Sequence, residues 1–332
     1  MTIKSIKKES YPELIRRMTK NRQVYAPVTR RNKVFYGRIQ SPEAMAENYI
    51  LPATSAKSLL FPKVELLFSY TRTKDDVQVN DVDEFPKRVI AGVRPCDARG
   101  IDILRQTFVD APADRLFEER YSKTTVIGMS CNQHDAYCFC GADMPGSTSG
   151  SDILLTNTGN GYLAEIITEK GAALAEEFAD LFEEPSGNIS KEDYVTKISA
   201  GIDQSAIQKK LAEMFDSGIF EEQSLRCIAC GTCAYVCPVC SCFDIQDETK
   251  GSQGRRLRCW DSCAFRQFTL HTSGHNPRNT QGQRWRQRLM HKFNYLPGND
   301  HPAGCVGCGR CSRSCPVDMN ILENLNQLVK NE

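Results

Sequence analysis

Two copies of one cysteine pattern constrain this chain more than any other feature. The pattern C-x2-C-x2-C-x3-C-P occurs at Cys227, Cys230, Cys233 and Cys237, and again at Cys305, Cys308, Cys311 and Cys315. We call residues 227–238 the first motif and residues 305–316 the second motif. Three thiolates within seven residues can hold one face of a cubane cluster, whereas zinc sites usually take paired ligands from two separate turns. The sequence therefore predicts two [4Fe–4S] clusters.

The fourth cysteine of each motif can bind in two ways. In two-cluster ferredoxins, the cysteine before the proline ligates the opposite cluster. That rule groups Cys315 with the first three cysteines of the first motif, and Cys237 with the first three of the second motif. The alternative is that each motif keeps its own four ligands. The spacing leaves both arrangements open.

The rest of the chain argues against disulfides and secretion. A chain of 332 residues can bury a core without covalent staples, although it contains sixteen cysteines. Residues 1–20 are charged throughout and have no apolar stretch suited to a signal peptide. No segment approaches the roughly 18 apolar residues of a membrane span. We therefore expect a cytoplasmic protein without membrane association, whose clustered cysteines are metal ligands or redox groups.

The first 220 residues predict a mixed α/β domain, and residues 221–332 predict a second domain that holds the two motifs. Three segments are typical of short buried strands: VELLFSY (64–70), RVIAGV (88–93) and TTVIGMS (124–130). Residues 151–168 suggest a hairpin with a Gly-Asn-Gly turn, because two apolar runs flank that turn. The predicted helices cover residues 98–108, 170–182 and 205–215.

Four cysteines lie in the predicted α/β domain, at Cys96, Cys131, Cys138 and Cys140. The first two follow predicted strands, and if those strands share one open sheet, both thiols emerge at carboxyl ends of strands, where ligands gather in α/β folds. Four thiols are the number that one further cluster needs, so we favour a third [4Fe–4S] cluster. Inert buried thiols and a zinc site are the alternatives. For Asp97, which could replace a cysteine ligand, we favour helix capping.

Four more cysteines lie in the second predicted domain, at Cys240, Cys242, Cys259 and Cys263. They could form a fourth site, but we favour packing around the neighbouring clusters. The surrounding segment, 252–298, is a basic insertion with eight arginines, one lysine and a single acid, Asp261. Such a segment can bind nucleic acid, dock a protein or offset the charge of thiolate-bound clusters. Because the net charge is only +1, we favour the last two uses and expect no nucleic-acid partner.

The sequence also resembles a known family. RCIACGTCAYVCPVCSCFD, RLRCWDSCAFRQFTLHTSGHNPR, RWRQRLMHKFNY, GCVGCGRCSRSCPV, GVRPCDARGIDIL and CNQHDAYCFC are similar to segments of sulfhydrogenase beta subunits and of the iron–sulfur subunit of anaerobic sulfite reductase. The resemblance implies a carboxy-terminal domain like an α-helical ferredoxin. It also implies an electron-carrying subunit between a flavin- and NAD(P)-binding diaphorase subunit and a catalytic subunit of siroheme or NiFe type. Cys259 departs from the family pattern.

Three functions compete on this evidence. The first is an electron-transfer subunit without catalytic residues of its own, because no G-x-G-x-x-G follows a strand and no G-x-x-x-x-G-K-[ST] occurs. The second is an enzyme that reduces a disulfide or sulfur substrate near Cys96 and Cys131. The third is a nucleic-acid-binding protein with clusters as structural staples. We favour the first, and the sequence leaves the terminal acceptor open.

Overall fold

The computed structural model describes residues 1–82, 85–109, 112–187 and 189–330 of the chain. Its strands are β1 (Thr2–Lys7), β2 (Gln23–Arg30), β3 (Lys33–Ile39), β4 (Val64–Arg72), β5 (Val77–Asp81), β6 (Arg88–Val93), β7 (Thr124–Met129), β8 (Ile153–Asn157), β9 (Gly161–Ile166), β10 (Phe243–Lys250) and β11 (Gln253–Trp260). Its α-helices are α1 (Ser10–Met18), α2 (Pro95–Val109), α3 (Arg115–Ser122), α4 (Glu169–Glu177), α5 (Gln204–Glu213), α6 (Ile219–Ser224), α7 (Thr232–Tyr235), α8 (Gln281–Met290), α9 (Leu296–Gly298), α10 (Arg310–Arg313) and α11 (Ile321–Lys330). In the described part of the chain, every helix is too short or too polar to cross a membrane.

A seven-stranded sheet organises the amino-terminal part, in the order β1-β9-β8-β7-β6-β2-β3. Strands β2, β6, β7 and β8 pair in parallel, and the outer pairs are antiparallel. Both β6 and β7 are almost wholly buried, as their continuous apolar runs predict for central parallel strands. The strands predicted at 88–93 and 124–130 are therefore confirmed as neighbours in one sheet, and the hairpin predicted at 151–168 is β8 and β9.

A second, four-stranded antiparallel sheet has the order β10-β11-β4-β5. It corrects two sequence predictions. The segment VELLFSY is not a buried strand, because β4 lies in this sheet with much of its length half-exposed or exposed. The carboxy-terminal part is not helical throughout, because residues 243–260 form a hairpin that turns at Gly251, where φ is +63°.

This second sheet draws two strands from each side of the boundary predicted at residue 220. A buried ionic cluster holds it to the rest of the molecule, since Glu65 of β4 accepts hydrogen bonds from Arg120 of α3 and from Arg258 of β11. Buried charges are stable only when paired in this way.

The short helices of the carboxy-terminal part share a core of their own. Trp285 and Leu289 of α8 pack with Phe220, Phe293 and Leu325. Helix α8 begins with a capping box in which Thr280 and Gln283 satisfy each other's backbone amides. Cysteines of both motifs pack against this core, so α8 and its neighbours fix where the motif thiols lie.

Candidate iron–sulfur centres

The first motif curls around an enclosed cavity. Its turn places Ala229 and Gly231 in the left-handed region, with φ of 56° and 72°, before the short helix α7 begins. The cavity has about 600 Å³ of empty space, adjacent open solvent included. The cysteines that line it are Cys227, Cys230, Cys233, Cys263, Cys311 and Cys315. Thiols therefore approach this cavity from both motifs.

The second motif repeats the same turn in a more enclosed position. Gly307 and Gly309 have φ of 64° and 69°, and α10 follows them. Cys308 is only 8% exposed and packs in one buried cluster with Cys237 of the first motif. The positive charge of Lys292 acts on Cys237 and on Cys305, which places both thiols near one lysine.

The two cysteines that precede prolines thus lie near the opposite motif. Cys315 shares a cavity with three cysteines of the first motif. Cys237 shares a buried cluster with Cys308. Cys311 also lines the first cavity, so the two sites adjoin each other. This is the arrangement that exchanged ligation needs.

Several N–H groups point at motif sulfurs. The Gly307 amide donates to Cys305 Sγ over 3.5 Å, and the Met319 amide donates to Cys315 Sγ over 3.2 Å. Gln281 of α8 donates through Nε2 to Cys227 Sγ over 3.2 Å. Hydrogen bonds to ligating sulfur stabilise negative charge and raise the reduction potential of a bound cluster.

Three buried cations, Lys57, Arg288 and Lys292, lie among the thiols. Burial opposes the charge of Lys292, but Cys237 and Cys240 raise its pKa above the usual lysine value. Burial lowers the pKa of Lys57, against the opposite effect of Cys240 and its neighbours. Cations in such places offset the negative charge of thiolate-bound iron. The sequence predicted this role for the basic insertion, but held no signal for Lys57, which lies far upstream.

Comparison with known proteins finds an iron–sulfur domain in the same region of the chain. Residues 226–319 match the family model of the 4Fe-4S dicluster domain. Sulfhydrogenase 2 subunit beta of Pyrococcus furiosus is 29% identical over 336 aligned residues, which cover 96% of each chain. The chain is thus similar along nearly its whole length to a sulfhydrogenase beta subunit. The dicluster match implies [4Fe–4S] clusters in the carboxy-terminal region of the chain. No solved structure matches the chain significantly.

In the described part of the chain, the cysteines form neither disulfides nor a compact group of three ligands for a single ion. All sixteen cysteines are free. In the described ranges, no three histidine, cysteine, aspartate or glutamate side chains stand close enough together to hold one metal ion. The observed donors are thiols spread around shared cavities, which is the arrangement that a multinuclear cluster requires.

The four amino-terminal cysteines of the chain lie together. Cys96 is in the first turn of α2, directly after β6, and Cys131 follows β7. The charges of these two thiols act on each other, and those of Cys131 and Cys138 act on Cys140. Burial raises the pKa of Cys131 to about 11 and that of Cys140 to about 12. Bound iron would have to displace protons from them.

This amino-terminal group adjoins the second motif. Cys96 packs with Cys237 and Cys308, and the Phe139 amide donates to the Gly307 carbonyl over 2.8 Å. Sequence reasoning gave no sign of this proximity, because the two segments lie far apart in the chain.

Asp97 neither caps a helix nor is free to ligate a metal. Arg310 donates to both of its carboxylate oxygens over 2.6 Å, and the Tyr36 hydroxyl donates to one of them over 3.0 Å. Asp97 and Arg310 are 0% and 1% exposed. This ion pair joins α2 to α10 and leaves the carboxylate no room for a metal.

Of the four remaining cysteines, Cys240, Cys242 and Cys263 interact with other thiols, whereas Cys259 lies in a strand. The Cys237 thiol donates to Cys240, and the Cys242 thiol donates to Cys263. That second hydrogen bond lowers the pKa of Cys263 to about 7 despite its burial. Cys259 lies in β11, paired with Asp244 and Val64.

Proposed function

We propose that this chain is the electron-transfer subunit of a multi-subunit oxidoreductase. It relays single electrons between a flavin- and NAD(P)-binding subunit and a catalytic subunit of NiFe or siroheme type. The observation that carries the proposal is the enclosed cavity on which cysteines of both motifs converge. Similarity along nearly the whole chain to a sulfhydrogenase beta subunit supports the assignment to a hydrogenase-like complex.

The ligand sets that we propose follow the contacts of the motif thiols. Cys227, Cys230, Cys233 and Cys315 would hold one cluster, because all four line one cavity. Cys305, Cys308, Cys311 and Cys237 would hold the other, supported by the packing of Cys237 against Cys308. A [4Fe–4S] cluster supplies one-electron transfer without making or breaking substrate bonds. The chain itself supplies buried cations and N–H donors that favour the reduced, more negative state.

A third cluster would be held by Cys96, Cys131, Cys138 and Cys140. The support is that these four thiols interact with one another and that Cys96 packs against Cys308 of the second motif. Three thiol groups would then follow one another through the molecule, with the second motif between the amino-terminal group and the first motif. Such an order suits a relay that crosses the subunit.

The first motif offers one end of this relay to a partner. Cys230 is exposed, and the flanking side chains Leu225 and Ile228 are 83% and 60% exposed. Exposed apolar side chains beside a redox ligand suit a docking surface, since short distance governs electron transfer between proteins and apolar contact stabilises the encounter.

The test is to purify the tagged full-length chain anaerobically from its native host, with a Leu225→Glu variant beside the wild type. We expect the wild type to carry a flavoprotein and a subunit that contains nickel or siroheme, and to pass electrons from NAD(P)H to the catalytic subunit. The variant should keep its iron but lose most of this activity. Val329→Glu, at another exposed apolar position, is the control and should behave as wild type. A wild-type chain that neither contains iron nor exchanges electrons with a flavoprotein would contradict the proposal.

A second candidate function is reduction of a disulfide or sulfur substrate beside Cys131. One observation favours it: a crevice at the carboxyl ends of β6 and β7 is lined by Tyr11, Arg94, Ser130 and Asn132, and the buried Tyr11 hydroxyl has no hydrogen-bond partner among the described residues. Turnover of a disulfide by the isolated chain with dithionite would support this function. Its absence, together with activity of the complex, supports the relay.

A further inference from the structure

Three thiols outside the proposed ligand sets converge beside the two motifs. The Asp261 amide donates to the Cys242 carbonyl over 3.0 Å, which brings residues 240–242 next to residues 261–263. The Cys242 thiol then reaches the Cys263 sulfur, and Cys240 lies close enough for its charge to act on both. Two segments, one on each side of the β10–β11 hairpin, thus place their cysteines close together.

Buried cations surround this group. Lys57 is 2% exposed and donates through Nζ to the Cys240 carbonyl over 2.9 Å. Arg288 is 4% exposed and points Nη1 at Cys240 Sγ over 3.9 Å, and the charge of Cys240 also acts on the buried Lys292. Within the described residues, none of these three cations forms a salt bridge with a carboxylate; their partners are carbonyl oxygens, sulfur atoms and the Trp260 ring. Buried cations require a counter-charge.

The charges of two thiols, Cys237 and Cys240, act on all three cations. The cluster at the second motif would supply counter-charge through Cys237, and a further cluster would add counter-charge through Cys240.

An open crevice gives access to two of these three thiols. Cys242 and Cys263 line it together with Arg278, Gln287 and His291, and it encloses about 620 Å³ of empty space, open solvent included. Neither cysteine is fully buried, unlike inert core thiols. Among the residues lining the crevice, His291 is the strongest iron ligand after the two cysteines, and histidine replaces cysteine in some iron–sulfur centres.

We propose that Cys240, Cys242 and Cys263 hold a further iron–sulfur cluster, with His291 completing the ligand set. Cys259 takes no part, because its neighbours in the sheet are Asp244 and Val64. The proposal goes beyond the proposed function, which assigns no role to these cysteines. It places an additional redox centre beside an open crevice, where a small acceptor or donor could reach it.

The experiment compares Cys242→Ser and Cys263→Ser with the matched control Cys259→Ser in the full-length chain, purified without oxygen. Iron, sulfide and zinc are counted per chain, and Mössbauer spectra are recorded. We expect each of the first two variants to lose about four iron and about four sulfide, the content of one [4Fe–4S] cluster, and the control to lose none. Retention of all iron and sulfide by Cys242→Ser and Cys263→Ser would overturn the proposal, as would loss of one zinc instead.

A second measurement uses the wild-type chain and does not depend on how the variants fold. Anaerobic alkylation of the loaded protein, followed by peptide mass spectrometry, should label Cys259 and leave Cys242 and Cys263 unlabelled. All three have intermediate exposure, so accessibility alone predicts similar labelling. Labelling of Cys242 and Cys263 in the iron-loaded protein would overturn the proposal.

Discussion

The two motifs have the same cysteine spacing but opposite surroundings. The first lies near the surface, with Cys230 and Ile228 exposed. The second is enclosed, with Cys308 and Arg310 buried beneath the amino-terminal cysteines. Identical spacing therefore fixes the local turn, while the residues between the cysteines fit each turn to its place in the molecule.

The third residue of each motif shows this difference most directly. The first motif has Ala229 where the second has Gly307, and both adopt positive φ. A side chain at Gly307 would overlap the backbone of Cys140, whereas Ala229 carries a Cβ at the same positive φ and the strain that goes with it. The enclosed motif needs glycine because another loop packs on it.

The largest expected effect concerns the buried ion pair between Asp97 and Arg310 of the second motif. Asp97→Asn leaves Arg310 buried without its counter-charge, and loss of one partner of such a pair costs about 3–5 kcal/mol. Asp135→Asn is the control, because Asp135 pairs with Arg313 where both side chains are 29% exposed, and exposed pairs contribute about 0–1 kcal/mol. Anaerobic urea unfolding measures both. Equal shifts of the unfolding midpoint would contradict the burial of the Asp97–Arg310 pair in the second motif.

A smaller effect is expected from matched glycine substitutions. Gly231→Ala and Gly309→Ala both place a Cβ in the left-handed region, at a cost of about 1–2 kcal/mol. At Gly309 the new atom would also overlap the Tyr137 carbonyl oxygen, whereas at Gly231 it meets the movable ring of Phe265 at 2.5 Å. We expect Gly309→Ala to lower the free energy of unfolding by clearly more than Gly231→Ala does. If Gly231→Ala proves the more damaging in the same urea titration, the second motif is not the more tightly enclosed of the two.

The smallest expected effect is an increase in the free energy of unfolding. Ala229→Gly removes the strain of a positive φ and should stabilise the chain by about 1 kcal/mol, less the entropy that glycine adds to the unfolded state. The reverse exchange, Gly307→Ala, should destabilise it because of the overlap with Cys140. Thermal unfolding of both variants without oxygen measures the sign of each change in stability. Two changes of the same sign would contradict the contrast between Ala229 and Gly307.

Local pattern was enough to predict part of this molecule. The motif cysteines could be found because three ligands of one cluster lie within a few residues, and β6 and β7 because buried parallel strands are continuous apolar runs. The helix expected at 98–108 is confirmed within α2.

Long-range partnership could not be predicted. The pairing of β4 with β11 joins segments far apart in sequence, and nothing near β4 shows that one side would stay exposed. The approach of Lys57 to Cys240 and of Arg310 to Asp97 depends on that same packing. The role expected for Asp97 was wrong for this reason, because its partner lies in the other half of the chain.

The most direct test of the central claim is an anaerobic dithionite titration of the full-length chain, followed by electron paramagnetic resonance and iron analysis. The account predicts a brown protein that is bleached by reduction, takes up one electron per cluster and shows the broadened signals of neighbouring, interacting centres. A colourless protein, iron that dithionite does not reduce, or isolated signals without interaction would contradict it.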